Sequence, residues 1–244
     1  MKNKYNLAAR AALLALALTA AFVLNTTAVA QAPPGSLWYN GDFDNVNGLA
    51  NGENTGFTAA VYDDFNVTGP GWNVNAVFTN NLLTTATGIT TANWEIRTGV
   101  SEGNPGVLLF SGLNAPVTVT PTGRSGFGLT EYTVEVTGLS VVLPLGTYWL
   151  SVQPIGNGSQ VSYNSSTVGV NCVGTPCGNN DNAFFNSESF GYNFHTTTDP
   201  AFGPGNIDFS DGVIGTVIPE PTTMALLTCG VGALLIAVRR RHGA

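Results

Sequence analysis

Short runs of alternating apolar and polar residues recur along the middle of the chain. In WNVNAVF, Trp72, Val74, Ala76 and Phe78 alternate with more polar neighbours. In EYTVEVTG, Tyr132, Val134 and Val136 lie on one face and Glu131, Thr133 and Glu135 on the other. NWEIR sets Trp94 and Ile96 against Glu95 and Arg97, and GTYWLSVQP sets Tyr148, Leu150 and Val152 against Trp149, Ser151 and Gln153. Successive side chains of a strand point to opposite faces, so a period of two predicts half-buried strands. AAVYDDFNV, GVLLF, VTVT, SQVSY, NAFFN and GVIGTV extend the set. Turn-forming clusters separate them: TGPGW, SEGNPG, NAP, PTGRSG, LPLG, IGNGS and FGPGN. No stretch of this region keeps a helical period, and no internal repeat supports a β-helix. The pattern predicts an all-β body over residues 31–217, an antiparallel β-sandwich of jelly-roll type.

Two apolar stretches break the alternation, one near each end. Ala11 to Leu24 follows Lys2, Lys4 and Arg10 and precedes Ala28-Val29-Ala30. A basic start, a short apolar run and a small-x-small tripeptide predict a signal peptide over residues 1–30, cleaved by signal peptidase after Ala30, with Ala28 completing the site. The second stretch, Met224 to Val238, is followed at once by Arg239, Arg240 and Arg241. Its fifteen residues are at the lower limit for a membrane-spanning helix, which needs about 20. By the positive-inside rule the arginines stay cytoplasmic and the body lies on the far side of the inner membrane. Both ends therefore predict the same topology.

Composition sharpens this picture. Only 9% of residues are charged, against about 25% in an ordinary soluble domain. Between the end segments Arg97 and Arg124 are the only Lys or Arg, against fourteen carboxylates, a formal charge of −12. Such a body has no basic stripe to meet a phosphate backbone, which argues against nucleic-acid binding.

The tail carries a more specific signal. Ile218-Pro219-Glu220-Pro221-Thr222-Thr223, an apolar helix and an arginine cluster stand in that order. This arrangement resembles the PEP-CTERM sorting signal of exported bacterial proteins, and the likeness covers residues 218–244. It implies transient anchoring in the membrane and processing by an exosortase, a membrane cysteine protease-transpeptidase, near Pro219-Glu220-Pro221. Prolines suit that role, since they keep the motif extended and outside the helix. More loosely, VYDDFNV, WEIRTGVSEGNPGVLLFSG, EYTVEV and LPLGTYWLSV together look like domains of exported bacterial proteins with interchangeable C-terminal anchors. That likeness implies fold and location rather than chemistry.

Chemistry is harder to find. Cys172 and Cys177 bracket VGTP, and in an oxidising compartment they predict a local disulfide. Zinc would need four ligands, and His195 is the body's only histidine. A Ser-His-Asp triad would also depend on His195, whose setting FHTTTDP reads as an exposed loop, and G-x-S-x-G is absent. A glycoside hydrolase would need two carboxylates facing each other across a cleft, which a sequence does not display.

NGDFDNVNGLANGEN places Asp42, Asp44, Asn47 and Glu53 in a Gly- and Asn-rich loop. These are the hard oxygen donors calcium takes, although Val46 spoils the EF-hand spacing. The same residues also suit Asx-turns and solvated loop acids. Asp63-Asp64 and Asp208 with Asp211 are further calcium candidates. Trp38, Tyr39, Trp72, Trp94, Trp149 and Tyr192 are either core residues or a sugar-stacking platform. Trp149, opposite Tyr148 and Leu150, is the one whose face would meet a polysaccharide. Together these features predict a non-enzymatic exported protein of the cell surface or extracellular matrix. A carbohydrate-binding module and a secreted hydrolase are the rivals.

Overall fold

The computed structural model describes residues 32–203 and 207–220. The signal-peptide residues, Ala28 and Ala30 among them, lie outside that range, as do Pro221, the apolar tail and Arg239, Arg240 and Arg241. Thirteen strands are formed: β1 (Ser36–Tyr39), β2 (Phe43–Ala50), β3 (Ala60–Val67), β4 (Trp72–Leu83), β5 (Thr91–Thr98), β6 (Val107–Gly126), β7 (Leu129–Leu143), β8 (Gly146–Ile155), β9 (Ser162–Thr167), β10 (Phe184–Ser187), β11 (Tyr192–Thr196), β12 (Asp208–Phe209) and β13 (Asp211–Val217). A single 3-10 turn, Pro200–Phe202, is the only helical element among the described residues.

The strands join antiparallel in the order β1-β13-β4-β7-β6-β5-β8-β3-β10-β11, with β2 and β12 attached through β9, which itself pairs with β4. The sheet curls because β6 has two partners. Its segment 107–116 pairs with β5, and its segment 117–126 pairs with β7. Asn114, with φ of 52°, lies just before the changeover. The sequence pattern predicts GVLLF and VTVT as separate strands with a turn at NAP. They are instead one strand, since a residue that tolerates positive φ can bend a strand as well as end it.

Curling brings the β1-β13-β4-β7 half to face the β5-β8-β3 half. Trp38, Val74, Val77, Val134, Val136 and Val213 of the first pack with Phe65, Trp94, Ile96, Leu150 and Val152 of the second in one cluster. β5, β7 and β8 bury the faces that alternation predicts, but β4 changes face at an irregular register between Val74 and Ala76, so Val77 joins this cluster in place of the expected Ala76 and Phe78. Phe65 is central: its ring lies 5.4 Å from Trp38, 6.0 Å from Trp72 and 5.7 Å from Tyr148.

The connections follow local backbone chemistry. β6 and β7 close on the two-residue turn Phe127-Gly128, both at positive φ, the geometry that matches strand twist. The expected turn at PTGRSG is strand with an irregular register between Pro121 and Ser125. Two expected loops also prove partly ordered. The Gly- and Asn-rich segment contains β2, and FHTTTDP begins inside β11. Both are held by backbone pairing to β9 and β10, which polar side chains do not prevent.

Candidate functional site

β13 ends at Val217, where Val217 pairs with Trp72, and Ile218 donates its N–H to the Gly71 carbonyl at 2.9 Å. Pro219 and Glu220 follow directly in exposed, non-strand backbone. The described part of the Pro-Glu-Pro motif thus begins where the ladder stops.

Cys172 and Cys177 form the expected disulfide, with Cα atoms 5.6 Å apart. The loop it closes lies against β1: Tyr39 and Val173 exchange backbone hydrogen bonds, and Trp38 Nε1 donates to the Pro176 carbonyl at 3.1 Å. Gly174 lies at φ of 77°, and a Cβ there would stand 2.5 Å from the Leu37 carbonyl oxygen, so only glycine allows this approach.

The four proposed calcium ligands in the 40–54 segment do not converge. Asp42 accepts from Tyr39 Oη at 2.7 Å, from Asn171 Nδ2 at 2.8 Å and from Arg124 Nη1 at 2.8 Å. Asp44 accepts from Ser166 Oγ at 2.6 Å and from the Val46 N–H at 2.8 Å. Asn47 reaches the Phe202 carbonyl at 2.7 Å. Glu53 accepts from Asn93 Nδ2 at 2.5 Å, on a different strand pair. The three carboxylates are held by separate protein partners, and Asp44 and the Asn47 backbone share Ser166 Oγ.

Trp149 is only 8% exposed. It packs with Ala60, Tyr62, Val100, Phe184 and Phe194 on the outer side of β3 and β8, and its Nε1 donates to the Asn182 carbonyl at 2.9 Å. The sheet is therefore covered on both faces here, and this indole presents no free face to a sugar. Trp38, Tyr39, Trp72 and Trp94 are buried as well, and Tyr192 is half-buried against Phe185 and Phe202.

His195 is flanked by two carboxylates, Glu102 at 2.6 Å from Nδ1 and Asp199 at 2.7 Å from Nε2. Glu102 also accepts the Thr196 N–H at 2.7 Å, so it ties the turn before β6 to β11. The hydrogen bonds to Asp199 and then Glu102 raise the imidazole above its ordinary 6.5. A raised folded-state value means that the clamp contributes in full below about 6.5 and is lost as pH rises through the higher folded value. Amide exchange at Thr196, corrected for intrinsic rate, should therefore quicken on the alkaline side of that titration. In His195→Gln the corrected rate should show no such step; a step retained there would assign it to another group.

Two polar networks lie within the fold, the first of them missed in the sequence. In the first, Arg124 of β6 binds Glu131 of β7 through Nε and Asp42 through Nη1, and its Nη2 lies 3.3 Å from Tyr39 Oη. Thr122 Oγ1 donates to the same Glu131 oxygen at 2.6 Å. Burial holds the Tyr39 phenol well above its usual range. The only available signal was scarcity: one of two body cations among fourteen acids is seldom idle.

The second network centres on Asp63, Asp208 and Asp211, each 0% exposed, with Asp64 beside them. Asp63 Oδ2 accepts from Asn40 Nδ2 at 3.0 Å and from the Phe209 N–H at 2.7 Å. Asp211 Oδ1 accepts from Asn164 Nδ2 at 2.9 Å, and Asp208 Oδ2 accepts the Asn180 N–H at 2.6 Å. Burial, then the charges of Asp208, Asp64 and Asp211, pushes Asp63 well above the usual carboxylate range. Burial likewise pushes Asp208 and Asp211 up to about 7. The acid pairs noted in the sequence are thus brought together, although Asp64 points to the opposite face, where Asn180 Nδ2 reaches it at 2.8 Å.

No family model, curated protein or solved structure matches the chain.

Proposed function

We propose that this chain is a non-enzymatic exported protein of the cell surface or extracellular matrix, sorted through its tail and processed by an exosortase-type enzyme at Pro219-Glu220-Pro221. Its body is read as a jelly-roll-like β-sandwich, bounded by a signal peptide at 1–30 and a sorting helix after the motif. The observation that carries the reading is the position of Pro219 and Glu220, exposed and outside the sheet just after the last strand. A protease that binds an extended peptide needs a motif free of ladder pairing but tethered close to the membrane. The order of motif, apolar run and arginines supplies that tether. The disulfide fits an oxidising compartment. Burial of Trp149 removes the stacking face on which polysaccharide binding rested.

Replacing Pro219, Glu220 and Pro221 together with alanine in the native host should make a membrane-retained precursor accumulate at the expense of the shorter surface form. Gel mobility of the membrane and surface fractions reads this directly. An unchanged size and distribution would overturn the sorting assignment.

A further inference from the structure

We propose that the interior of the curled sheet holds one calcium ion, bound by oxygen atoms of Asp63, Asp211, Asn40 and Asn164. Asp63 shares its face of β3 with Val61 and Phe65, which pack in the inner clusters, while its neighbour Tyr62 faces outward with Trp149. Asp211 shares its face of β13 with Val213, also of the inner cluster. The two carboxylates therefore enter the interior from opposite halves of the sheet. Asn40 follows β1 and Asn164 lies in β9, and all four side chains are 0% exposed.

Asp63 has donors on both oxygens, the Asp64 N–H on Oδ1 and Asn40 and the Phe209 N–H on Oδ2, and the excess of acceptors lies on the other three residues. Asn40 gives its side-chain nitrogen to Asp63 and its backbone N–H to the Asp211 carbonyl at 3.0 Å. Asn164 gives its side-chain nitrogen to Asp211. Each planar amide thus turns its nitrogen to a carboxylate of the set, and its oxygen lies on the same small group beside it. Asn40 Oδ1, Asn164 Oδ1 and Asp211 Oδ2 are buried with no hydrogen-bond partner among the described residues. Buried acceptors without donors are costly and rare, so something electropositive belongs among them.

The donor chemistry selects that species. Every atom offered is a carboxylate or carboxamide oxygen, which suits a hard cation and no soft metal. Among the described residues no three Asp, Glu, His or Cys side chains group as a metal site by themselves, so the set is mixed, two carboxylates completed by two amides. Two negative charges match one divalent ion. Magnesium keeps several waters and demands an octahedron, whereas calcium accepts an irregular cage of protein oxygens. Asp208, whose Oδ1 is also unpartnered, borders this set: its charge acts on Asp63, and its Oδ2 is taken by the Asn180 N–H. The inference does not depend on the sorting assignment.

The test uses the full-length chain, stripped with chelator. Terbium, a hard lanthanide stand-in, should give saturable emission on tryptophan excitation with one ion per chain, and calcium should displace it. Calcium at a hundredfold excess over Kd should raise Tm by about 5–10 °C. Asp211→Asn should lose both signals, and Asp44→Asn in the surface segment should keep both. Should Asp211→Asn fail to fold, the wild-type stoichiometry and Tm shift decide alone. Absence of a calcium-dependent shift in the wild type at millimolar calcium would overturn the proposal and assign the orphan oxygens to buried water. Signals lost in Asp44→Asn but kept in Asp211→Asn would overturn it in favour of the surface segment.

Discussion

Replacing Arg124 with glutamine should lower the free energy of unfolding by about 3–5 kcal/mol, because one cation is removed from a buried group of two carboxylates. Asp42 and Glu131 are 6% and 0% exposed at their side chains, and Arg124 faces both with separate nitrogens. Glutamine keeps much of the volume but leaves two acids without a counter-charge in a setting that cannot hydrate them. Arg124→Lys should lose less, since it keeps the charge but not the planar fork. Combining Arg124→Met with Asp42→Asn and Glu131→Gln should recover part of the loss, because no uncompensated charge is then left behind. Urea unfolding monitored by tryptophan fluorescence measures all three. A single Arg124→Gln variant within about 1 kcal/mol of the parent would place the pair in the weak, solvated class instead.

Truncating Phe65 to alanine should cost a similar amount, about 3–5 kcal/mol. The reason differs. Phe65 is fully buried and its ring meets Trp38, Trp72 and Tyr148, which come from β1, β4 and β8. Alanine leaves a cavity walled by three large rings attached to a hydrogen-bonded sheet, so little collapse can fill it. Phe65→Leu should recover more than half of the loss by refilling that space. Calcium in the buffer should not change the difference between parent and variant, because no atom of this ring belongs to the polar interior. A loss below about 1 kcal/mol for the alanine variant would show that the rings repack freely.

The two variants probe parts of the fold that were unequally legible. β4, β5, β7 and β8 could be read as strands because each alternates apolar and polar residues, and the apolar set forms the inner cluster except in β4, where a bulge after Val74 turns Val77 inward instead of Ala76 and Phe78. β2, β11 and β12 escaped because their sequences FDNVNGLA, YNFHT and DF carry too few apolar positions for a period to show. β2 and β12 are ordered by pairing with β9, distant in sequence, which a local pattern does not contain, and β11 by a hairpin with the equally short β10. The cysteine pair was legible from its spacing together with the oxidising compartment that the chain ends predict. The acids were noticed but misweighted: the loop residues Asp42, Asp44, Asn47 and Glu53 look like ligands in the sequence, yet each has its own protein partner. Asp63 and Asp211 are separated by about 150 positions in the chain and are linked through Asn40 only because the sheet curls. Trp149 failed as a sugar platform for the same reason that β8 succeeded as a strand. Alternation identifies two faces, but it does not say whether the second one is covered.

The placement of β13 has a mechanical consequence. This strand is paired on both sides, to β1 and to β4, over most of its length, and it ends where Pro219 begins. A pull on the chain beyond Val217, directed along the strand, loads both ladders in shear, so many hydrogen bonds must yield together. A pull directed sideways at the same point would instead peel the ladders open one bond at a time. Ser36 of β1 faces Ile214, so the chain enters and leaves the sheet at the same edge. If the tail is anchored as proposed, drag on the opposite edge of the body loads β13 in the strong direction, whereas separating the two ends at this edge opens the sheet in the weak one.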